Sequence, residues 1–403
     1  MDTIKIIDAR MGRGKTSAAI EYMKESAGTK RFLYITPFLQ EVDRICGACD
    51  FDQPDSDKST KLAELKHLMW QKKNIASTHA LFFSLDSDAL ELIRRYNYCL
   101  IVDEAIDVIQ KVPITSKDRK ILLETMTEKD EDGFLHWRDP AYEGKFDQYK
   151  EMADAGSLFV LDSALLCIMN PELLTTFSEV IMMTYLFNGQ YQKAYLDYYG
   201  FEYEVCGVDS TNGHRFSNNP DCPPPIDYGQ LIHIVDDDKL NLVGDKRTAL
   251  SKRWYTDRSA SHEDIKMLRN GLNTFFRRRN QAGAGEQLWT CFKAHAPKLY
   301  GDRGRFAGSF LQLAARATNE YRSRKYLAYL ANKFIDPNVS KFFAQRNIKI
   351  DADEYALSEM LQWIWRGCIR DDKPIELYIP SSRMRELLLG WIESNKKGVT
   401  END

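Results

Sequence analysis

The chain has 403 residues and 43% of them are hydrophobic, so it can bury cores of the size that two domains need. Eight cysteines are scattered along it, and only Cys46 and Cys49 form a C-x-x-C, which argues against a zinc site and for reduced thiols in the cytoplasm. Neither a signal peptide nor an apolar stretch long enough to cross a membrane is evident in the sequence.

Charge is distributed unevenly along the chain. The formal net charge is −4, but residues 241–350 carry +14, so the remaining residues carry −18. A basic segment in an otherwise acidic protein is typical of a surface that binds phosphate backbones. A solvated face without a partner is the alternative interpretation.

Apolar strand patterns alternate with helical patterns in the first half of the chain. The predicted strands span residues 3–8, 31–37, 74–78, 98–105 and 179–186. The run at 98–105 is almost entirely apolar until its carboxylates, as expected for a central parallel strand that is covered on both faces. The alternation therefore predicts an α/β fold with a parallel sheet.

The remainder of the chain is less regular. Residues 113–157 are polar and acidic, which indicates an inserted helical or irregular segment. Residues 210–230 collect Asn, Gly, Ser and Pro, which is typical of a linker. A second α/β region is predicted to begin at 231–238, and residues 317–395 are mostly helical in pattern with a late strand at 375–381.

A glycine-containing segment follows the first predicted strand and precedes a helix. Gly12 and Gly14 allow backbone N–H groups to face phosphate oxygens, and the next helix offers its positive N-terminus. Lys15 would reach the β- and γ-phosphates of ATP, and the Thr16 hydroxyl would bind Mg²⁺. The expected nucleotide-binding residues are Arg10, Met11, Gly12, Arg13, Gly14, Lys15, Thr16 and Ser17.

Two adjacent carboxylates end the apolar strand at 98–105. Asp103 is suited to hold Mg²⁺ beside the phosphate-binding loop, and Glu104 to polarise the attacking water. An isolated Asp-Glu after an apolar run is more often the beginning of a helix. The loop at residues 9–17 makes the catalytic interpretation the stronger one.

The sequence Asp103-Glu104-Ala105 resembles motif II of superfamily 2 helicases, the DEAD/DEAH-like enzymes, and residues 9–16 match the A-x-x-G-x-G-K-T form of their motif I. Ile35-Thr36-Pro37 resembles motif Ia, and Ser77-Thr78-His79 resembles the next segment that contacts the strand. Thr184-Tyr185 falls where the coupling motif III lies, although it departs from Ser-Ala-Thr. The resemblance implies that nucleic acid is contacted by Thr36, Pro37, Thr78 and His79.

Two later segments extend the resemblance. Ala315–Tyr321 resembles motif V, which implies a nucleic-acid contact by Thr318. Residues 362–370 resemble motif VI, Q-x-x-G-R-x-x-R, although Trp365 replaces the glycine and the second arginine is one residue late. The implied catalytic residues are Gln362, Arg366 and Arg370. An amphipathic helix with core tryptophans and solvated arginines is the alternative.

Aromatic residues interleave the basic segment at Trp254-Tyr255, Phe275-Phe276 and Trp289. Bases could stack on these rings, or the rings could belong to the core. The cluster expected to touch the phosphate backbone is Arg277, Arg278 and Arg279.

The resemblance implies two RecA-like P-loop NTPase domains with helical insertions. They are expected at residues 1–205 and 230–403, with a linker at 206–229 and ATP between them. The expected function is an ATP-dependent helicase or translocase of the small bacteriophage type. It would act on nucleic acid, DNA in preference to RNA, in the bacterial or phage-infected cytoplasm, with replication or recombination proteins as partners.

Two other classes remain open. One is an ATPase motor that does not unwind, such as a terminase-like enzyme, for which Asp236-Asp237-Asp238 is a weak candidate nuclease cluster. The other is a nucleotide-switched binding module, which would need neither Glu104 nor Arg366.

Overall fold

The structure is a computed structural model that describes residues 3–55, 60–162, 164–210, 213–218, 226–256, 261–313 and 319–400, without the side chains of 319 and 397–400. The chain forms two compact units. The first contains Met1–Ala9, Lys15–Pro220 and Ile335–Ile350. The second contains Arg10–Gly14, Asp221–Phe334 and Asp351–Asp403.

The strands are, in chain order, β1 (Ile4–Asp8), β2 (Arg31–Thr36), β3 (Ile75–Thr78), β4 (Tyr98–Asp103), β5 (Ile109–Val112), β6 (Thr127–Lys129), β7 (Leu135–Trp137), β8 (Leu158–Leu161), β9 (Ala164–Ile168), β10 (Glu179–Thr184), β11 (Tyr203–Asp209), β12 (Arg215–Ser217), β13 (Ile232–Ile234), β14 (Gln287–Thr290), β15 (Tyr326–Tyr329) and β16 (Ile375–Tyr378).

The α-helices are α1 (Lys15–Glu25), α2 (Leu39–Ala48), α3 (Lys61–Trp70), α4 (His79–Phe82), α5 (Ser87–Tyr96), α6 (Ser116–Ile121), α7 (Asp147–Asp154), α8 (Glu172–Thr175), α9 (Tyr191–Tyr199), α10 (Tyr228–Leu231), α11 (Asp238–Asn241), α12 (Lys252–Thr256), α13 (His262–Asn273), α14 (Pro337–Ala344), α15 (Ala352–Ile364) and α16 (Ser382–Thr400). A π-helical turn at Thr274–Arg279 directly continues α13. Among the described residues, no helix has both the length and the apolarity needed to cross a bilayer.

The first unit is built on a sheet with the strand order β12-β11-β1-β10-β4-β2-β3. Its pairs are parallel except for β12, which runs antiparallel to β11. Every residue of β4 and of β10 is buried, as their apolar sequences require for strands covered on both faces. The predicted parallel α/β fold is therefore confirmed.

An insertion between β4 and β10 has its own small core. It contains the antiparallel sheet β5-β9-β8 and the hairpin β6-β7. The prediction of a helical or irregular segment at 113–157 is confirmed for α6 and α7 but missed the hairpin β6-β7. The two hairpin strands have three residues each, which is too short for an alternating pattern to be recognised.

Part of the segment with linker composition belongs to the first sheet. Strand β12 at Arg215–Ser217 pairs with β11, while residues 211–212 and 219–225 lie outside the described residues. The domain boundaries 1–205, 206–229 and 230–403 stay a prediction.

Helix α14 belongs to the first unit although it lies late in the sequence. Val339, Phe342 and Phe343 are buried in that unit's core. The ring of Phe342 lies 5.1 Å from that of Phe159 and 4.4 Å from that of Tyr198. A short amphipathic helix thus completes a core whose other members come mostly from the first 200 residues.

The second unit contains a parallel sheet with the order β13-β16-β15-β14. Strands β13 and β16 lie where the sequence predicted them. Strand β15 lies inside the region predicted to be mostly helical, 317–395. Its four-residue apolar run cannot be distinguished from a buried helical segment by periodicity.

Candidate functional site

The carboxyl ends of the parallel strands in the first unit gather polar residues at one edge of the sheet. Asp8 pairs with Thr184, and Thr36 pairs with Thr78. Asp103 ends β4, which lies between β10 and β2. The fold therefore brings these five strand ends together. Four of them carry residues of predicted motifs, and the fifth, at Asp8, directly precedes the loop at residues 9–17.

The predicted phosphate-binding loop directly follows β1 in the chain. Gly12 and Gly14 both have φ of +80°, a conformation that glycine adopts without a steric penalty. Lys15 begins α1, and its ammonium group donates a hydrogen bond to the Ala9 carbonyl. In this structure the Lys15 side chain thus contacts the beginning of the loop that precedes it. The same side chain is predicted to reach the phosphates of ATP.

The other predicted loop residues have distinct positions. Thr16 and Ser17 lie in the first turn of α1. Arg10–Gly14 group with the second unit, where a Cβ added to Gly12 would lie 3.9 Å from the Arg370 carbonyl oxygen. The Arg10 guanidinium lies 5.4 Å from the centre of the Tyr228 ring. Arg10, Met11 and Arg13 thus occupy the loop itself rather than either flanking element.

Asp8 is a residue of this edge that the sequence interpretation missed. Its carboxylate accepts the backbone N–H groups of Leu186 and Phe187 at 2.9 and 3.1 Å. Burial raises the pKa of Asp8, against the opposing effects of these two amides and of Lys15. A carboxylate directly before the loop was the available signal, but its partners lie almost 180 residues away in sequence.

Asp103 is buried, with 7% of its surface exposed. The Tyr34 hydroxyl donates a hydrogen bond of 2.8 Å to its Oδ2. Burial, followed by the charge of Glu104, raises the pKa of Asp103 to about 7, although Tyr34 and Lys15 act in the opposite direction. A carboxylate that is desolvated in this way is suited to bind a cation.

The donors at this edge fit Mg²⁺. Asp103 offers a carboxylate and Thr16 a hydroxyl, and both are hard oxygen ligands of the kind that Mg²⁺ prefers. Magnesium in nucleotide sites is commonly held by one or two protein groups, with water and phosphates completing its octahedron.

Glu104 directly follows the end of β4, and His79 contacts that end. Glu104 has φ of +65°, an uncommon conformation for a residue with a side chain. The Nε2–H of His79 donates to the Asp103 carbonyl at 3.0 Å, and only 1% of His79 is exposed. The residue predicted to contact nucleic acid therefore lies against the backbone of the predicted hydrolysis pair.

The other residues predicted to contact nucleic acid at this edge differ in accessibility. Thr36 is fully buried, whereas Pro37 and Thr78 are half-buried. The Thr78 hydroxyl caps α4 by accepting the Leu81 N–H at 3.4 Å. The contacts of Thr36, Pro37 and Thr78 with nucleic acid stay predictions. Thr184, from the segment that falls where motif III lies, donates its hydroxyl to Gln190 at 2.8 Å.

The residues that resemble motif VI lie at and after the end of α15. Gln362 on α15 donates to the Ser358 hydroxyl at 3.3 Å, and Arg366 follows the helix. Trp365 is a buried core residue. Arg370 is exposed in the 3₁₀ turn Cys368–Asp371. Thr318, from the segment that resembles motif V, lies outside the described residues.

The aromatic residues of the basic segment belong to the core of the second unit. Trp254, Tyr255, Phe275, Phe276 and Trp289 are all buried. This agrees with the core interpretation and leaves none of these rings open to stack on bases. The three arginines that follow Phe276, at 277–279, are exposed.

The acidic run at 236–238 has a structural role, since the Asp237 side chain caps α11 by accepting the N–H groups of Lys239 and Leu240. Within the part of the chain that the structure describes, no group of three His, Cys, Asp or Glu side chains is arranged to hold a metal ion. These residues therefore give no support to a nuclease centre.

Sequence comparison finds one extensive relative. The SPbeta prophage-derived uncharacterized protein YonV of Bacillus subtilis (strain 168) is 36% identical over 416 residues, which cover 98% of this chain and 100% of that protein. The family description "YonV C-terminal Rossmann-like domain" matches residues 227–392, and "YonV middle domain" matches residues 109–167. The second match includes the insertion between β4 and β10.

Two solved structures are similar over nearly the whole chain. The structure XPD_APO matches with a TM-score of 0.52 at 14% identity, covering 98% of this chain and 95% of that chain. Xpd4 of S. tokodaii matches with a TM-score of 0.50 at 11% identity, covering 99% and 95%. At these identities the similarity concerns the fold, namely parallel-sheet domains with helical insertions.

Proposed function

This chain belongs to the YonV family, and we propose that it is an ATP-dependent helicase or translocase acting on nucleic acid. The observation that supports this most is the sheet edge of the first unit, where Lys15 at the start of α1 lies close enough to Asp103 for its charge to oppose the rise in the pKa of that carboxyl. DNA of a phage-related genome is the proposed substrate, since the relative is named as prophage-derived. Replication, recombination or repair in the cytoplasm of a bacterium or phage-infected host is the proposed setting.

In this proposal each predicted site residue has a part in hydrolysis. The loop amides and Lys15 would bind the phosphates of ATP, and Glu104 would orient the attacking water. Thr16 and Asp103 would hold Mg²⁺, which when bound neutralises phosphate charge. Arg366 and Arg370 would add positive charge at the γ-phosphate. Gln362 is proposed as a third catalytic residue from the same segment.

Glu104→Gln tests the catalytic assignment. The amide keeps the size of the side chain but cannot act as a base, so we expect ATP binding to persist while kcat falls about 100-fold or more. Turnover should be measured with and without single-stranded DNA, single-stranded RNA and duplex DNA. Glu91→Gln, an exposed position on α5, is the matched control. Lack of stimulation by every nucleic acid would contradict the helicase proposal.

The same measurements separate the two other classes. A motor that does not unwind would retain nucleic-acid-stimulated ATPase activity that Glu104→Gln abolishes, but would not separate a duplex. A nucleotide-switched binding module would respond little to Glu104→Gln, because its two states would depend on binding rather than on turnover.

A further inference from the structure

The π-helical turn after α13 presents three arginines to solvent. Phe275 and Phe276 are both fully buried, although they are adjacent in sequence. The wider turn at Thr274–Arg279 accompanies this double burial, and Arg277, Arg278 and Arg279 follow on its outer side. The exposure of the arginines is thus fixed by the packing beneath them.

A second segment carries two further arginines beside this turn. The ring of Phe306 lies 5.7 Å from that of Phe276, and its carbonyl accepts the Trp289 indole N–H at 2.7 Å. The Arg305 guanidinium donates to the Asn273 side chain, at the end of α13, at 3.3 Å. Arg303 and Arg305 are exposed, so they extend the same surface.

We call Arg277, Arg278, Arg279, Arg303 and Arg305 the arginine surface. Among the described residues, none of the five forms an ion pair with a carboxylate, whereas other cations of this unit do, such as Lys266 with Glu263 and Lys333 with Glu359. Neighbouring guanidinium groups that lack ion-pair partners repel one another, and a polyanion would relieve that repulsion. Guanidinium groups also match phosphate oxygens geometrically.

The rings below the arginine surface are inaccessible. Phe275, Phe276 and Phe306 are each no more than 1% exposed. Proteins that bind single strands by stacking need exposed rings, which these positions do not offer. Stacking of bases on these rings is therefore excluded, which favours contact through the arginines with the phosphate backbone.

We propose that the arginine surface is a nucleic-acid site that binds phosphates of single strands and duplexes without contacting bases. This rests on the proposed function and deepens it in two ways. It adds Arg303 and Arg305 to the arginines predicted from sequence, and it assigns the site a substrate feature, the backbone, rather than a base sequence.

The double variant Arg303→Gln/Arg305→Gln tests this proposal. Binding would be measured by fluorescence anisotropy over a salt series, with oligothymidine, an abasic strand of equal length and a duplex. We expect a loss of affinity of about tenfold or more at about 100 mM salt on all three. The slope of log K against log salt should fall by roughly 1.4 for single strands, which corresponds to two lost phosphate contacts.

The control is Lys266→Gln/Lys333→Gln, which removes the same charge from cations that already have acidic partners. Melting temperatures would show whether the loss of the Arg305–Asn273 hydrogen bond perturbs folding. In that event Arg278→Gln is the replacement variant. Its side chain forms no hydrogen bond or ion pair with another described residue, and one lost contact should lower the slope by roughly 0.7.

Three results would overturn the inference. If the arginine variant binds nucleic acid as tightly as the control variant, the arginine surface is not a nucleic-acid site. A DNA-stimulated ATPase activity would still support the proposed function in that case. A loss on oligothymidine but not on the abasic strand would show that bases are contacted. A wild-type protein that neither binds nor is stimulated by any nucleic acid would overturn the proposed function as well.

Discussion

His79 connects two segments that the sequence treats separately. It begins α4, directly after the strand β3 whose end resembles a nucleic-acid contact, and it donates to the backbone carbonyl of Asp103. Because this hydrogen bond is buried, a movement of the β3–α4 junction would be transmitted directly to the Asp103-Glu104 turn.

Replacing His79 by Phe should therefore weaken coupling more than nucleotide binding. Phenylalanine fills a similar volume but cannot donate, so we expect little change in KM for ATP and about a tenfold smaller stimulation of kcat by single-stranded DNA. His67→Phe, at an exposed position on α3, is the control. A raised KM with unchanged stimulation would instead assign His79 to nucleotide binding.

Several residues of the candidate site could be predicted from sequence because they occur in short contiguous motifs. The loop at 9–17 and the pair Asp103-Glu104 are of this kind. Tyr34 and Asp8 could not be predicted, because their partners are distant in sequence. Tyr34 donates to Asp103, and Asp8 accepts from the amides of Leu186 and Phe187. Only the strand order places these groups together.

At the scale of elements, a partly buried ionic cluster joins the beginnings of β10 and β1 to α1. The Glu179 carboxylate accepts from Lys5 at 3.1 Å, from Lys30 at 2.6 Å and from the Tyr22 hydroxyl at 2.6 Å. Burial acts to raise the pKa of Glu179, but the hydrogen bonds from Lys30, Tyr22 and Lys5 outweigh it and lower that pKa. The ionised carboxylate therefore stabilises the folded state.

Glu179→Gln should lower the free energy of unfolding by about 2 kcal/mol near neutral pH, a reduced value because both lysines are partly exposed. A depressed folded-state pKa gives stability that is present above the ordinary carboxyl pKa and is lost as pH falls through the folded value. The difference between wild type and variant should therefore shrink in acid.

Denaturant unfolding at neutral and acidic pH would measure this difference. Glu172→Gln is the control, because Glu172 forms an exposed ion pair with Arg94 and should contribute little. A difference that persists unchanged in acid would mean that the carboxylate charge is not its source.

The elements that the sequence predicted correctly are those with long apolar runs, above all β4 and β10. The hairpin β6-β7 and the strands β14 and β15 escaped prediction because three or four residues do not define a period. The π-helical turn also escaped, since its cause is tertiary, namely the burial of two adjacent rings.

At the scale of the whole molecule, ligand binding should be visible as a change in thermal stability. If Lys15 binds phosphates, ATP with Mg²⁺ at about 100 times its Kd should add about 2.7 kcal/mol of stability to the wild type. We expect a rise in Tm of roughly 3 °C that Lys15→Ala abolishes. Lys24→Ala, on the same helix and paired with Glu21 at the surface, is the control. Equal shifts in both variants would exclude Lys15 from nucleotide binding.

The alternation of strands and helices predicted the general architecture. It did not predict that α14 belongs to the first unit. The sequence predicted helical structure there and could not indicate which core its apolar face would join. Amphipathic patterns specify that a face is buried, not against what.

The position of α14 has a consequence for the order in which the protein can fold during synthesis. The aromatic surface of Phe159 and Tyr198 leaves the ribosome well before Phe342, which covers it. More than 100 residues of the second unit are translated in the interval. The first unit therefore cannot complete its core co-translationally as an independent N-terminal domain, and its uncovered aromatic surface is a natural place for a chaperone to bind in the interim.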